Sequence, residues 1–325
     1  MGMSLITGID IGRHSIKAVV VKPEKQHFTI VGFHELPVSE AVFSDNYTLN
    51  YQDSVKKLKD LKKKLPWFSQ RAAIAIPDNA VISKILQIDA SIEQSEQEFA
   101  IHQAFSYQSP FPIEELCLDY VSSTTPSNSA TRAFQVYASK KEVIESRQTV
   151  AEKAGFKPHV MDIQAHALLN IGQYAMKKHG KSWLLVNIGH LQSTMCMAGE
   201  QAFYKDIPLG IATPSGQGKQ SLSDDPLAFS RQLSQRLQRQ LQLLPNGRDQ
   251  SIDGVWLTGG GAYHALIEEQ LQQAMDLPCE RLAPFSLCQV KPKLSTHALD
   301  GQHQYAVALG AAIGARQWES QHYAA

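Results

Sequence analysis

Asp10, Gly12 and Lys17 fall within one eight-residue segment, Asp10-Ile11-Gly12-Arg13-His14-Ser15-Ile16-Lys17. A β-hairpin with glycine at its turn exposes backbone N–H groups that can cradle phosphate oxygens. A carboxylate at the strand end, here Asp10, can hold Mg²⁺ through water. Lys17 is close enough to neutralise phosphate charge, with Arg13, His14 and Ser15 in the same turn. Taken alone, the pattern D-x-G-x(4)-K fits an ordinary tight hairpin equally well.

A second segment, Asn187-Ile188-Gly189-His190-Leu191-Gln192-Ser193-Thr194, repeats the glycine turn and adds the hydroxyls of Ser193 and Thr194. Asn187 is neutral, so this turn offers a metal less than a carboxylate would. A third, Leu257-Thr258-Gly259-Gly260-Gly261-Ala262, reads as a strand entering three glycines and then a helix. Such a turn lets a ring or ribose approach the backbone closely, or serves as a plain strand–helix turn. None of the three matches the Walker or dinucleotide pattern. Their order, two phosphate-type hairpins and then a glycine-rich turn, resembles that of the actin-like ATPase fold, which would make this an α/β protein of two related halves around a nucleotide cleft.

The elements that must position these turns follow from periodicity. Strands are expected at Leu5–Ile11, Ser15–Lys22 and Phe28–Leu36, a meander repeated at Trp183–Gly189, Ser193–Met197 and Gln201–Ile207. Val55, Leu58, Leu61 and Leu65 predict a helix over Asp53–Leu65 that Pro66 stops. Between the meanders the pattern predicts strands at Arg71–Ile76, Ala80–Ile88, Glu115–Ser122 and Phe134–Ser139, with helices at Glu93–Tyr107 and Glu142–Ala154. Polar loops are expected at 122–129 and 214–226. The later chain predicts a helix at Leu227–Leu244, a strand at Val255–Thr258, a helix at Ala262–Met275 and a small-residue helix at Gln304–Trp318.

Composition excludes several classes. The 325 residues carry 31 Lys and Arg against 31 Asp and Glu, so a neutral chain is a poor partner for nucleic acid. A hydrophobic share of 43% is too high for bulk disorder. Cys117, Cys196, Cys279 and Cys288 have no CxxC spacing, which disfavours zinc and fits reduced thiols in a cytosolic protein. The start Met1-Gly2 lacks a signal-peptide pattern, and Ile6 breaks the myristoylation pattern. No window approaches a membrane span. Lys56, Lys57, Lys59, Lys62, Lys63 and Lys64 crowd one helix, followed by Trp67 and Phe68. A solvated face explains them simply; attraction to anionic lipid is the functional alternative.

The chain resembles the actin- and FtsA-like ATPase superfamily through Asp10–Lys17, Asn187–Thr194, Leu257–Ala262 and the run Ala306-Val307-Ala308-Leu309-Gly310-Ala311-Ala312. Within it, Pro110-Phe111-Pro112-Ile113-Glu114-Glu115-Leu116-Cys117-Leu118-Asp119-Tyr120 is similar to the PFP stretch of the type IV pilus assembly protein PilM family, and Val160-Met161-Asp162-Ile163 fits that family's connection after a glycine turn. The resemblance implies two core subdomains, at 1–80 with 148–180 and 300–325, and at 181–215 with 249–299. A small subdomain at 81–147 is inserted in the first half, and a helical one lies at 216–248. ATP and Mg²⁺ are implied as cofactors, held by Asp10 (through water to the metal), Gly12, Arg13, His14, Ser15, Lys17, Asn187, Gly189, Ser193, Thr194, Gly259, Gly260 and Gly261. Asn187 stands where the family usually has Asp, which weakens the metal site; no general base stands out, so hydrolysis is expected to be weak or absent, and Asp162 and Gln164 are expected to be structural. The implied partners are the cytoplasmic tail of a PilN-like inner-membrane protein and the pilus platform behind it, with self-association also open. The tail would dock near Ile76, Val81, Ile85, Phe105, Phe111 and Ile113. The implied setting is the cytoplasmic face of the bacterial inner membrane, reached through partners, in pilus assembly and twitching motility. An actin-fold small-molecule kinase and an FtsA-like filament former are the other readings.

Overall fold

A computed structural model describes residues 4–25, 27–38, 42–43, 47–123, 130–199, 202–213, 224–243, 252–264, 266–294 and 300–322. Residues 124–129 of the expected loop at 122–129, residues 214–223 of that at 214–226, Leu244 of the expected helix and Gln201 of the expected strand lie outside them.

The first half opens with β1 (Ile6–Ile11), β2 (Ser15–Pro23) and β3 (Phe28–Pro37), then α1 (Tyr51–Lys64) and β4 (Arg71–Ile76). An insertion follows: β5 (Val81–Asp89), α2 (Gln97–Ser106), β6 (Leu116–Ser122), β7 (Thr131–Lys140) and α3 (Lys141–Lys153). β8 (Lys157–Ile163) and α4 (Gln164–His179) return to the first half. The second half holds β9 (Leu184–Ile188), β10 (Ser193–Met197), β11 (Phe203–Ile207), α5 (Pro226–Gln242), β12 (Val255–Thr258), α6 (Ile267–Met275) and β13 (Cys279–Arg281), and the chain then runs through β14 (Gln289–Val290) to α7 (Ala306–His322).

The strands form a six-stranded sheet in the order β14-β3-β2-β1-β4-β8, a five-stranded sheet β11-β10-β9-β12-β13 and a three-stranded sheet β5-β7-β6. Every residue of β1 is buried, because helices cover both faces. Ile9 and Ile11 meet Leu58 and Leu61 of α1 and Val150 of α3 on one side. Ile6 meets Ala308, Ala312 and the α4 residues Leu168 and Ile171 on the other.

The Ala- and Gly-rich composition of α7 has a direct cause. A Cβ on Gly8 of β1 would lie 1.8 Å from the Ala308 carbonyl oxygen, and one on Gly310 would lie 1.9 Å from that of Ala167 in α4. The helix therefore touches a strand and a second helix at backbone distance, and side chains larger than these would push it away.

Three local expectations change. Glu93–Tyr107 is helical only over Gln97–Ser106, since Asp89 Oδ1 accepts from the Ser91 N–H (2.8 Å) and starts a turn there. Ala262–Met275 is not one helix: a single 3₁₀ turn at Gly260–Tyr263 precedes Leu266, whose φ of 69° breaks the path before α6. Residues 289–290, placed by sequence with the second half, pair in parallel with β3 at the edge of the first sheet. Periodicity also did not reveal β8 and α4, whose start is marked only by Gly155 (φ 89°) and whose end is marked by Gly180 (φ 66°).

Candidate functional site

The two glycine hairpins face one another across a cavity of about 550 Å³ between the halves. Asp10, Gly12, Arg13, His14 and Lys17 line it from the first half. Asn187, Gly189, Thr194 and Gly259, Gly260 and Gly261 line it from the second. The Gly12 N–H donates to the Ser15 carbonyl (3.1 Å) and the Gly189 N–H to the Gln192 carbonyl (3.0 Å), so both turns close in the same way. The His14 and His190 rings, one on each turn, have centroids 5.3 Å apart.

Two nominated residues do not reach the cavity wall. Ser15 donates to Glu35 Oε1 (2.6 Å), and the buried Ser193 hydroxyl donates to the Leu209 carbonyl (2.6 Å). Both brace the hairpins from behind.

Asp10 is buried at the end of β1 and accepts from Gln164 Nε2 (3.1 Å). Burial raises its pKa, while the Lys17 charge and the Gln164 hydrogen bond pull the other way. Lys17 is its cross-strand partner in the β1–β2 ladder. Asn187 Oδ1 accepts from the Thr258 hydroxyl (3.3 Å), so its amide helps hold the Gly259 turn. A Cβ on Gly259 would meet that same Oδ1 at 2.8 Å and the Ile188 carbonyl oxygen at 2.4 Å, with φ at 84°. Only glycine fits there.

Sequence reading missed Arg147, the last residue of the expected insertion. It is fully buried in α3 and lines the cavity. Its Nη1 donates to the carbonyls of Tyr47 (2.8 Å) and Val143 (3.0 Å). Its Nε and Nη2 have no partner among the described residues. Burial and the neighbouring Arg13 charge lower its pKa to about 10, still well above neutrality. A buried guanidinium with free donors facing a cavity is costly unless an anion completes it. One Arg inside a helix carries no periodic signal, so no sequence pattern points to it.

The cavity thus tests well for a nucleotide phosphate chain. It combines Lys17, Arg13 and Arg147 with two glycine turns, and Asp10 is the carboxylate suited to a hydrated Mg²⁺. Among the described residues no cluster of three His, Cys, Asp or Glu side chains could hold a metal directly.

Behind the cavity, Asp78 ties the halves together. Its Oδ1 accepts from the Ala165 N–H at the start of α4 (2.7 Å), and its Oδ2 accepts from Thr194 of β10 (3.2 Å). The same Thr194 hydroxyl lies 3.4 Å from Asp206 of β11. Burial and then the Asp206 charge push the Asp78 pKa up to about 7, and burial raises that of Asp206. A pair of adjacent buried carboxylates shares a proton. Asn79 Nδ2 also donates to Gln192 Oε1 across the cleft (2.7 Å).

The sequence of this two-halved chain matches the family profile described as type IV pilus assembly protein PilM over residues 8–210 and 224–316. The chain belongs to the PilM family. A solved PilM-PilN type IV pilus biogenesis complex is similar in structure, with a TM-score of 0.78 at 19% identity, covering 96% of this chain and 98% of that one. The ethanolamine utilization protein EutJ from Carboxydothermus hydrogenoformans is similar at a TM-score of 0.53 and 13% identity, over 95% and 89% of the two chains. A diol dehydratase-reactivating factor in nucleotide-free form is similar at 0.53 and 9% identity, over 97% and 100%. The fold of this PilM-family chain is the actin-like ATPase fold.

The six residues nominated for partner binding do not form one surface in this PilM-family chain. Phe105 is fully buried against Ile101, Leu86 and Phe134, and Ile76 is buried at the end of β4, so both are core. Their apolar character serves packing. Ile113 packs partly against the same core as Phe105. Phe111 is 37% exposed, with Lys140 Nζ 4.4 Å from its ring centre. Val81 and Ile85 alternate with Ile82 and Leu86 on β5. They share a face with Ser83, whose side chain hydrogen-bonds Tyr204 of the second half, and Ile85 is 48% exposed. On that face Tyr137 OH lies 3.3 Å from His166 Nε2 of α4, and His166 Nδ1 lies 2.8 Å from Asp162 Oδ1. Asp162 therefore fixes an imidazole here, and Gln164 holds Asp10. Asp162, His166, Asn170 and Trp318 line a second cavity of about 270 Å³.

Proposed function

We propose that this chain is a nucleotide-binding scaffold of type IV pilus assembly, working at the cytoplasmic face of the inner membrane. It binds ATP with Mg²⁺ in the cleft and docks the cytoplasmic tail of a PilN-like protein. The observation that carries the nucleotide reading is the buried, half-unsatisfied Arg147 facing the two glycine hairpins. In this reading Lys17, Arg13 and Arg147 hold the phosphates, Asp10 orients metal-bound water, and the turn at Gly259–Gly261 receives the ribose or base. The Mg²⁺ would offset phosphate charge when bound. Asn187, engaged with Thr258, holds the turn and leaves Asp10 as the metal-facing carboxylate.

The tail reading is supported by family membership and by the likeness to a PilM-PilN complex. It assigns the tail to the seam between the insertion and the first core, along the face of β5 that carries Val81 and Ile85. This keeps the division into a first core, the insertion at 81–147, a second core and a helical subdomain at 216–248. Nucleotide and tail would then bias one another through the seam, a coupling between two sites.

A fluorescent PilN-tail peptide tests the docking face. Ile85→Asp, at an exposed position, is expected to weaken binding about tenfold or more by desolvating a charge against an apolar contact. Phe111→Asp serves as the comparison. Full affinity in Ile85→Asp with loss in Phe111→Asp would move the tail to the other side of the inserted sheet.

A further inference from the structure

The turn after α1 holds two large aromatic side chains out in water. Trp67 is 84% exposed and Phe68 is 78% exposed, the two most exposed rings of their kinds. The turn is braced, so this exposure is built in. Lys62 Nζ donates to the Ser69 carbonyl (2.8 Å), the Ser69 N–H to the Pro66 carbonyl (3.0 Å) and the Lys157 N–H to the Gln70 carbonyl (2.7 Å). Pro66 itself sits on Gly32 of β3, where a Cβ would come within 2.6 Å of its ring.

Lysines surround the pair. Leu58 and Leu61 face the core, which sets Lys56, Lys59 and Lys63 on the outer side of α1, with Lys64 at its end. All four are exposed, as are Lys153 at the end of α3 and Lys157 at the start of β8. Lys62 reaches over the Phe156 ring (5.1 Å), which places the α3–β8 turn beside the end of α1. Asp60, Asp53 and Glu152 dilute the charge without reversing it, and Asp60 is taken by Lys63 (2.9 Å). From Tyr51 to Gln70 the chain has six lysines against two carboxylates, in a protein of zero net charge.

We infer that this tip is a direct membrane-contact surface for anionic phospholipid. Exposed Lys supplies attraction to acidic headgroups, and adjacent Trp and Phe suit the boundary between headgroups and acyl chains. The position permits it. The tip lies where β4 and β8 begin, whereas the cleft residues Asp10, Pro77 and Gln164 lie where β1, β4 and β8 end. The six residues of β4 separate the two ends by roughly 20 Å. Lipid at the tip would leave the cleft open.

Sedimentation of the full chain with vesicles tests this. At low salt the protein is expected to bind vesicles containing phosphatidylglycerol and to remain free of pure phosphatidylcholine. Lys59→Glu with Lys63→Glu should reduce partitioning about tenfold or more. Trp67→Ser with Phe68→Ser should do so by a comparable factor. Both pairs are exposed, so melting temperature should stay near that of the parent. Brominated lipid should quench parent tryptophan fluorescence and quench Trp67→Phe less, since Trp183 and Trp256 are buried and Trp318 is 36% exposed against 84% for Trp67. Absence of vesicle binding, binding that both double variants retain, or preference for duplex DNA over acidic vesicles would overturn the inference.

Discussion

Asp78 carries the clearest pH signature. Its carboxyl has a pKa of about 7 in the fold against an ordinary 3.8, through burial and the Asp206 charge. The folded chain therefore holds this proton more tightly than the unfolded one. Stability from this site falls as pH rises between about 4 and about 7. Asp78→Asn keeps an acceptor for the Ala165 N–H and supplies a permanent donor toward Asp206. The variant is expected to gain melting temperature relative to the parent as pH is raised from about 5 to about 8. A difference that stays constant across that range would contradict a shared proton. The residue scale also marks the boundary of sequence reading. Asp10, Gly12 and Lys17 were legible because a hairpin turn fixes them by spacing. Arg147, Asp78 and Asp206 were not, because three separate elements bring them to the cleft and its rear wall.

At the scale of elements, the meanders were legible as repeated β-branched runs before glycine turns. The α1 stop at Pro66 was legible too, since Leu65 takes an extended conformation (φ −95°, ψ 161°), as residues before proline do. α4 escaped because it is buried against α7, far away in sequence, and β8 because it is a half-exposed edge strand paired to β4. The reason for the α7 composition appears only in three dimensions. Gly310→Val would drive a branched side chain into the Ala167 carbonyl, and the helix cannot shift without leaving β1. Overpacking of this kind costs about 1–3 kcal/mol and more where backbone is struck. Denaturant unfolding should show Gly310→Val destabilised by at least that amount. A change under about 0.5 kcal/mol, the range of an ordinary surface substitution, would mean that the α4–α7 contact is looser than described.

For the whole molecule, the contacts between the two halves gather around the cleft. Two halves meet at the Asp78–Thr194–Asp206 cluster, the Asn79–Gln192 hydrogen bond and the paired His14 and His190 rings. The inserted sheet reaches both, through Tyr137 to α4 and through Ser83 to Tyr204. A ligand that draws the hairpins together would act on the seam assigned to the tail. The neutral overall charge hides this organisation, since a cationic cavity wall and a lysine-rich tip are balanced by carboxylates elsewhere.

In the reading proposed above, the cleft is a nucleotide site completed by an anion at Arg147. Calorimetric titration of ATP with Mg²⁺ into the parent, Asp10→Ala and Arg147→Met tests it most directly, read beside the ligand-free melting temperatures. Both variants are expected to lose about tenfold or more in affinity, the scale of a hydrogen bond to a charged group. Arg147→Met should melt no lower than the parent, because it removes an unpaired buried charge. Unchanged affinity in both variants, or a parent that takes up no nucleotide, would rule out a nucleotide site at Arg147.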